Sequence, residues 1–179
     1  MFSGGANVDR PHGFKIIGTM AGGCPARSES LVLSSTNAII GIGDLLVLQN
    51  DGTVDRAAAG ATQIVGVAME AKSASAGGTI LVCTDPMVLL EAQTDGSSGG
   101  GGDALTAQTA MFLNADIVVS DATNGLSRME IDQDEGATTA TLPLKVIGLF
   151  PAIDNEFGDY NRLIVAINAH ARGHDKLGI

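Results

Sequence analysis

The sequence predicts an all-β domain, a β-barrel or β-sandwich with an extended N-terminal arm and at most one short helix. Two observations predict it. About ten apolar blocks of three to seven residues recur along the 179-residue chain, rich in Val, Ile and Leu and bounded by Gly, Asp, Asn and Pro. Turn chemistry separates them, most sharply at Asn50-Asp51-Gly52 and Asn124-Gly125, where Gly supplies the positive φ of a hairpin turn.

The blocks begin with Phe14-Lys15-Ile16-Ile17 and Leu31-Val32-Leu33, followed by Ile39-Ile40-Gly41-Ile42 and Leu45-Leu46-Val47-Leu48. Ile64-Val65-Gly66-Val67-Ala68-Met69, Ile80-Leu81-Val82-Cys83 and Met87-Val88-Leu89-Leu90 fill the middle. Ile117-Val118-Val119, Leu144 to Phe150 and Leu163-Ile164-Val165-Ala166-Ile167 complete the set. Many are continuous rather than alternating, which predicts strands covered on both faces, by a second sheet or by a neighbouring subunit. Residues 53–61 and 103–111 are Ala-rich helix candidates, but both fall below the ~12 residues at which an isolated helix becomes even marginally stable. Ala74-Ser75-Ala76-Gly77-Gly78 reads as a loop and the acidic, then Thr/Ala-rich stretch 132–141 as another. The organisation expected is an arm and first strand over 1–27, a β-rich domain over 28–170 with a flexible Gly-rich loop at 95–102, and a tail over 171–179.

Composition narrows the function. Ten Lys and Arg against twenty Asp and Glu give a net charge of −10, opposite to the basic footprint of a nucleic-acid binder or an anionic-membrane binder. Trp is absent, Tyr occurs once and aromatics total 3%, so there is little material for stacking bases or sugars. No apolar run reaches the ~18–20 residues of a membrane span, and the first residues lack the pattern of a secretory signal. Cys24 and Cys83 match no metal or redox spacing and are too few for a disulfide scaffold, which points to a reducing, intracellular site of folding.

Catalytic patterns are weak. Gly96-Ser97-Ser98-Gly99-Gly100 satisfies G-x-S-x-G, but flanking glycines oppose the helix that the motif requires after its serine. His170 and His174 are four apart, yet Gly173 lies between them and no glutamate follows His170. Asp132, Asp134 and Glu135, like Asp154, Asn155, Glu156 and Asp159, lack the full spacing of a calcium loop. Cys24 has no local activating partner. Gly41-Ile42-Gly43 starts like a dinucleotide fingerprint and then fails at the third glycine, so it reads as a bulge or a close backbone approach. The expectation is no catalytic residue, no metal and no cofactor.

A resemblance rests on the order of several segments. Arg10-Pro11-His12-Gly13-Phe14-Lys15 opens onto Gly18-Thr19-Met20-Ala21-Gly22-Gly23, and Gly43-Asp44-Leu45-Leu46-Val47-Leu48 leads through Asp51-Gly52 to Ala57-Ala58-Ala59-Gly60. Ile64-Val65-Gly66-Val67 follows, then the run from Asp85-Pro86 to Asp95-Gly96. Leu142-Pro143-Leu144-Lys145-Val146-Ile147-Gly148-Leu149, Asp154-Asn155-Glu156-Phe157-Gly158 and the run from Leu163 to His170 close it. From about residue 10 to 172 this order resembles the small head decoration, or capsid cement, proteins of tailed bacteriophages.

The resemblance implies a virion protein, made in the host cytoplasm, that binds the outer face of the capsid. It would bridge subunits of the major capsid protein, as a homotrimer, without nucleic-acid or membrane partners. Expected contact residues are Phe2, Arg10, Phe14 and Arg27, because interfaces favour aromatics and Arg. For Phe14 the competing expectation is a core strand. Other classes are a tail-tube or fibre β module, and a β-barrel hydrolase or carbohydrate-binding module acting through Ser98 or His170.

Overall fold

The computed structural model describes residues 7–24, 27–96 and 104–173. Eleven strands run through them: β1 (Lys15–Thr19), β2 (Ser28–Val32), β3 (Leu45–Leu48), β4 (Val54–Arg56), β5 (Ile64–Ala68), β6 (Thr79–Cys83), β7 (Val88–Gln93), β8 (Asn114–Val118), β9 (Glu130–Ala137), β10 (Leu144–Leu149) and β11 (Arg162–Ile167). The helical content among the described residues is one 3-10 turn, Gln108–Ala110. It falls within one of the Ala-rich candidates. The other, residues 53–61, contains β4 instead, because Val54 is drawn into the core and pairs with Leu48.

The strands form two antiparallel sheets packed as a sandwich. The larger has the order β1-β7-β11-β10-β8-β9, the smaller β2-β6-β5-β3-β4. The larger sheet curls until Thr94 bridges Ile131 of β9, but this single bridge does not close it into a barrel. Of the two β architectures expected, the sandwich is the one present.

The hairpins follow their turn residues. Gly52 at φ +84° joins β3 to β4, and Asn124 and Gly125 at φ +53° and +77° turn the chain between β8 and β9. The stretch expected as an exposed loop at 132–141 is instead largely β9. Ile131 and Gln133 are buried there, so this acidic segment alternates in and out as a half-buried strand does.

Two cores share the smaller sheet. The main one lies between the sheets and joins Phe14, Leu45, Ile64 and Val67 to Leu90, Ile117, Ile131, Leu144, Val146, Leu163 and Val165. The second lies on the outer side and joins Leu46, Val54, Val65, Ala68, Ile80 and Val82 to Leu33 and Ile40 from the β2–β3 connection. All five residues of β5 are buried. Neither a second sheet alone nor a neighbouring subunit accounts for that continuous apolar run: the opposite sheet covers one face and the chain's own connection covers the other.

A bulge makes this possible. Leu46 pairs with Gly66 and Val47 with Ile64, leaving Val65 as the extra residue. The bulge resets the alternation, so Ile64 and Val67 both face the main core. Gly66 sits at φ +151°, and a Cβ there would lie 1.9 Å from the Cys83 carbonyl oxygen on β6. Gly66→Ala is therefore expected to cost about 3 kcal/mol, or roughly 10 °C in melting temperature, by clash and backbone strain. Thermal denaturation followed by circular dichroism checks this; an unchanged midpoint would contradict it.

Candidate functional site

The segment before β1 is a strap across the larger sheet. The Asn7 side-chain amide donates to the Glu156 and Asp159 carbonyls at 2.8 and 2.9 Å, and its oxygen accepts the Glu156 N–H at 3.2 Å. Gln93, on β7, donates to the Val8 carbonyl and accepts the Arg10 N–H, both at 3.0 Å. Two side-chain amides thus replace the ladder bonds that this irregular segment cannot make.

Beneath the strap lies Glu91 of β7, 3% exposed. His12 Nε2 is 3.2 Å from its carboxylate, Lys15 Nζ 3.7 Å and Arg162 Nη1 3.8 Å. Burial alone would raise its pKa. The nearby His12 ring and the positive charges of Lys15 and Arg162 outweigh burial and hold the carboxyl below its ordinary value. Arg162 also pairs with Asp154 and stacks over Phe150, 5.5 Å from the ring centre. A cavity of about 310 Å³ opens here, lined by Arg10, His12, Lys15, Gln93, Tyr160 and Arg162 among others. Tyr160 is held at φ +56°, and its ring occupies the space that a side chain on Gly96 would need.

His12 and Lys15 also rim a second, apolar cavity of about 460 Å³. Its wall is Ile16, Ile42, Met69 and Leu126, and Phe14 is at its base. Backbone bonds fix it: Phe14 N–H to the Gly43 carbonyl, Gly43 N–H to the Ala68 carbonyl, and a bridge between Ile42 and Leu126. Ile42, Met69 and Leu126 remain 45%, 40% and 58% exposed, a contiguous apolar wall that the chain does not cover.

The residues named from the sequence scatter. Phe14, 1% exposed, belongs to the core, so it cannot serve as a partner contact; its ring fills the space between the sheets. Arg10 keeps an exposed side chain beside the first cavity. Arg27 lies far along the chain at the start of β2, where its Nε meets Glu29 at 2.5 Å. Arg172 grips the same carboxylate with two bonds of 2.8 and 2.7 Å, and hydrogen bonds from Arg172 and Arg27 hold Glu29 down to about 2. Phe2 lies outside the described residues.

Among the catalytic patterns, residues 97–100 and His174 also lie outside the described residues. His170 is buried; its Nδ1 accepts the Arg172 N–H, and burial lowers its pKa, favouring the neutral ring. Cys24 is exposed, and burial pushes the Cys83 thiol up. Gly41 is a close approach, as its pattern implied: a Cβ there would lie 2.5 Å from the Ser127 nitrogen. Among the described residues no group of three or more His, Cys, Asp or Glu is placed to hold a metal ion.

Sequence reasoning missed Asn7, Gln93 and Glu91. A lone acid within Val88-Leu89-Leu90-Glu91-Ala92 is the one signal that could have found the charge cluster, since a carboxylate in an apolar strand needs a partner. Comparison with protein-family models, with curated proteins and with solved structures finds no match.

One acid stands apart. Glu130 of β9 is 9% exposed and one of its oxygens has no hydrogen-bond partner. Burial, with repulsion from Asp9 and Asp95, raises its pKa to about 7. The folded state holds this proton well above the ordinary carboxyl value of 4.5 that the unfolded chain has, so stability falls as pH rises from 4.5 through about 7. Glu130→Gln is expected to melt several degrees above the parent at pH 8 and near it at pH 4.5. Equal shifts at both pH values would refute the assignment.

Proposed function

We propose that this protein is a capsid decoration protein, binding the outer surface of a phage head and stabilising it by bridging subunits of the major capsid protein. The observation that carries the reading is a β-sandwich on a chain whose segment order, from about residue 10 to 172, resembles that family. Its acidic charge favours an exterior position, because packaged DNA would repel a surface of −10.

The mechanism is linkage. A protein that binds the assembled shell and not its separate subunits stabilises the shell by RT ln(1 + [L]/Kd). A copy touching two coat subunits ties them together, so many weak sites act in concert. Arg10, exposed beside the strap, is the named contact residue best placed to reach a coat subunit, because Gln93 and Asn7 fix the backbone that carries it.

Electron microscopy of empty expanded heads mixed with the purified protein tests this. Added density at local three-fold positions, with heads surviving a higher temperature, is the expected result. Bare heads beside free protein would overturn it, and so would a shift of duplex DNA in a low-salt gel.

A further inference from the structure

Phe112 stands out on the surface. It is 68% exposed, and among the described residues no other aromatic side chain is so open. Its backbone is at φ +66°, in the left-handed region that bulky side chains rarely adopt. The Phe112 N–H donates to the Val146 carbonyl at 3.0 Å and the Val146 N–H donates to the Leu113 carbonyl at 2.9 Å, so β10 holds the ring outward on a fixed stem. An exposed aromatic on a strained, well-anchored turn gains nothing for the isolated chain.

The apolar cavity lies elsewhere on the molecule. Phe112 stands just before β8, beside the β9 edge of the larger sheet, where Gly136 of β9 packs against Leu113. Leu126 on its wall belongs to the connection that follows β8, so the cavity opens at the far end of that strand from Phe112. The charges differ accordingly. Glu135 is exposed on β9, preceded by Asp132 and Asp134, whereas the cavity rim carries His12 and Lys15, whose side chain is 57% exposed.

We infer that two copies of this chain dock head to tail, Phe112 of one copy entering the apolar cavity of the next, with Glu135 of the first facing Lys15 of the second. The cavity, about 460 Å³ and walled by Ile16, Ile42, Met69 and Leu126, takes one aromatic ring. An aromatic anchor in an apolar pocket with opposite charges at its rim has the form of an interface hot spot. Because knob and socket are different patches, the contact is heterologous and repeats until rotation closes a ring. This contact stands independently of the capsid reading.

Sedimentation velocity tests it. At about 100 μM, where a contact of about 10 μM dissociation constant is mostly formed, the parent protein is expected to sediment as an oligomer. Phe112→Asp and Leu126→Asp should each sediment as monomers, with Met69→Glu as a second lesion of the socket. Mixed together, Phe112→Asp and Leu126→Asp should form a 1:1 heterodimer, because one keeps its socket and the other its knob. Phe112→Gly relieves the positive φ, so it should melt no lower than monomeric Phe112→Asp while failing to associate, which separates docking from folding. A monomeric parent, an oligomeric Phe112→Asp, or a mixture without heterodimer would each overturn the inference. Lost head binding with self-association intact would count against the capsid reading alone.

Discussion

The structure depends on burying β5 on both faces. A strand in that position has no polar side on which to rest, so its neighbours must supply two apolar layers. The larger sheet supplies one through Leu90, Val146 and Val165; Leu33 and Ile40 supply the other. The bulge at Val65 and Gly66 reconciles the two, turning a strict alternation into one that serves both layers. Ordered neighbours on each side keep the site in place: Phe14 and Val67 form the base of the apolar cavity, and Ala68 holds Gly43 at its rim.

Charge is organised on the same frame. The chain carries twice as many acids as bases, yet Lys15 and Arg162 converge with His12 on one buried carboxylate, Glu91. Breaking such a cluster by removing one partner leaves a charge without compensation in a low dielectric, which makes the cluster a lock between β1, β7 and β11. The strap across it is held by amides, which keep their hydrogen bonds at any ordinary pH. At the other sheet's edge, Arg172 and Glu29 tie the chain after β11 to β2, joining the two sheets at their rims.

Much of the fold was legible because its signals are local. Asp51-Gly52 and Asn124-Gly125 encode turns through the φ they permit, and short Val/Ile blocks encode strands through their length. Where local signals conflicted with tertiary contacts, the contacts prevailed. Residues 53–61 have helix-like composition, yet Val54 finds more burial as a strand beside Leu48. Residues 132–137 are acidic enough to read as a loop, yet Gln133 is buried, satisfied by Asp159 and Thr94, and the acids flank it outward. The site was less legible. Phe14 and Phe112 carry the same side chain, and although Phe14 opens an apolar block, nothing near Phe112 in the sequence marks it as surface.

The sequence by itself determined that the chain is β-rich, acidic and poor in aromatics, and where its hairpins turn, since these follow from composition and backbone preference. Tertiary structure decided sandwich over barrel, because closure depends on how far β9 curls toward β7, and one bridge is not enough. It also decided which apolar residues remain outside. Leu126, Met69 and Ile42 come from separate segments and become one wall only when Gly43 docks between Phe14 and Ala68. Burial is a property of the packed whole, and hydropathy along a chain does not record which neighbours will arrive.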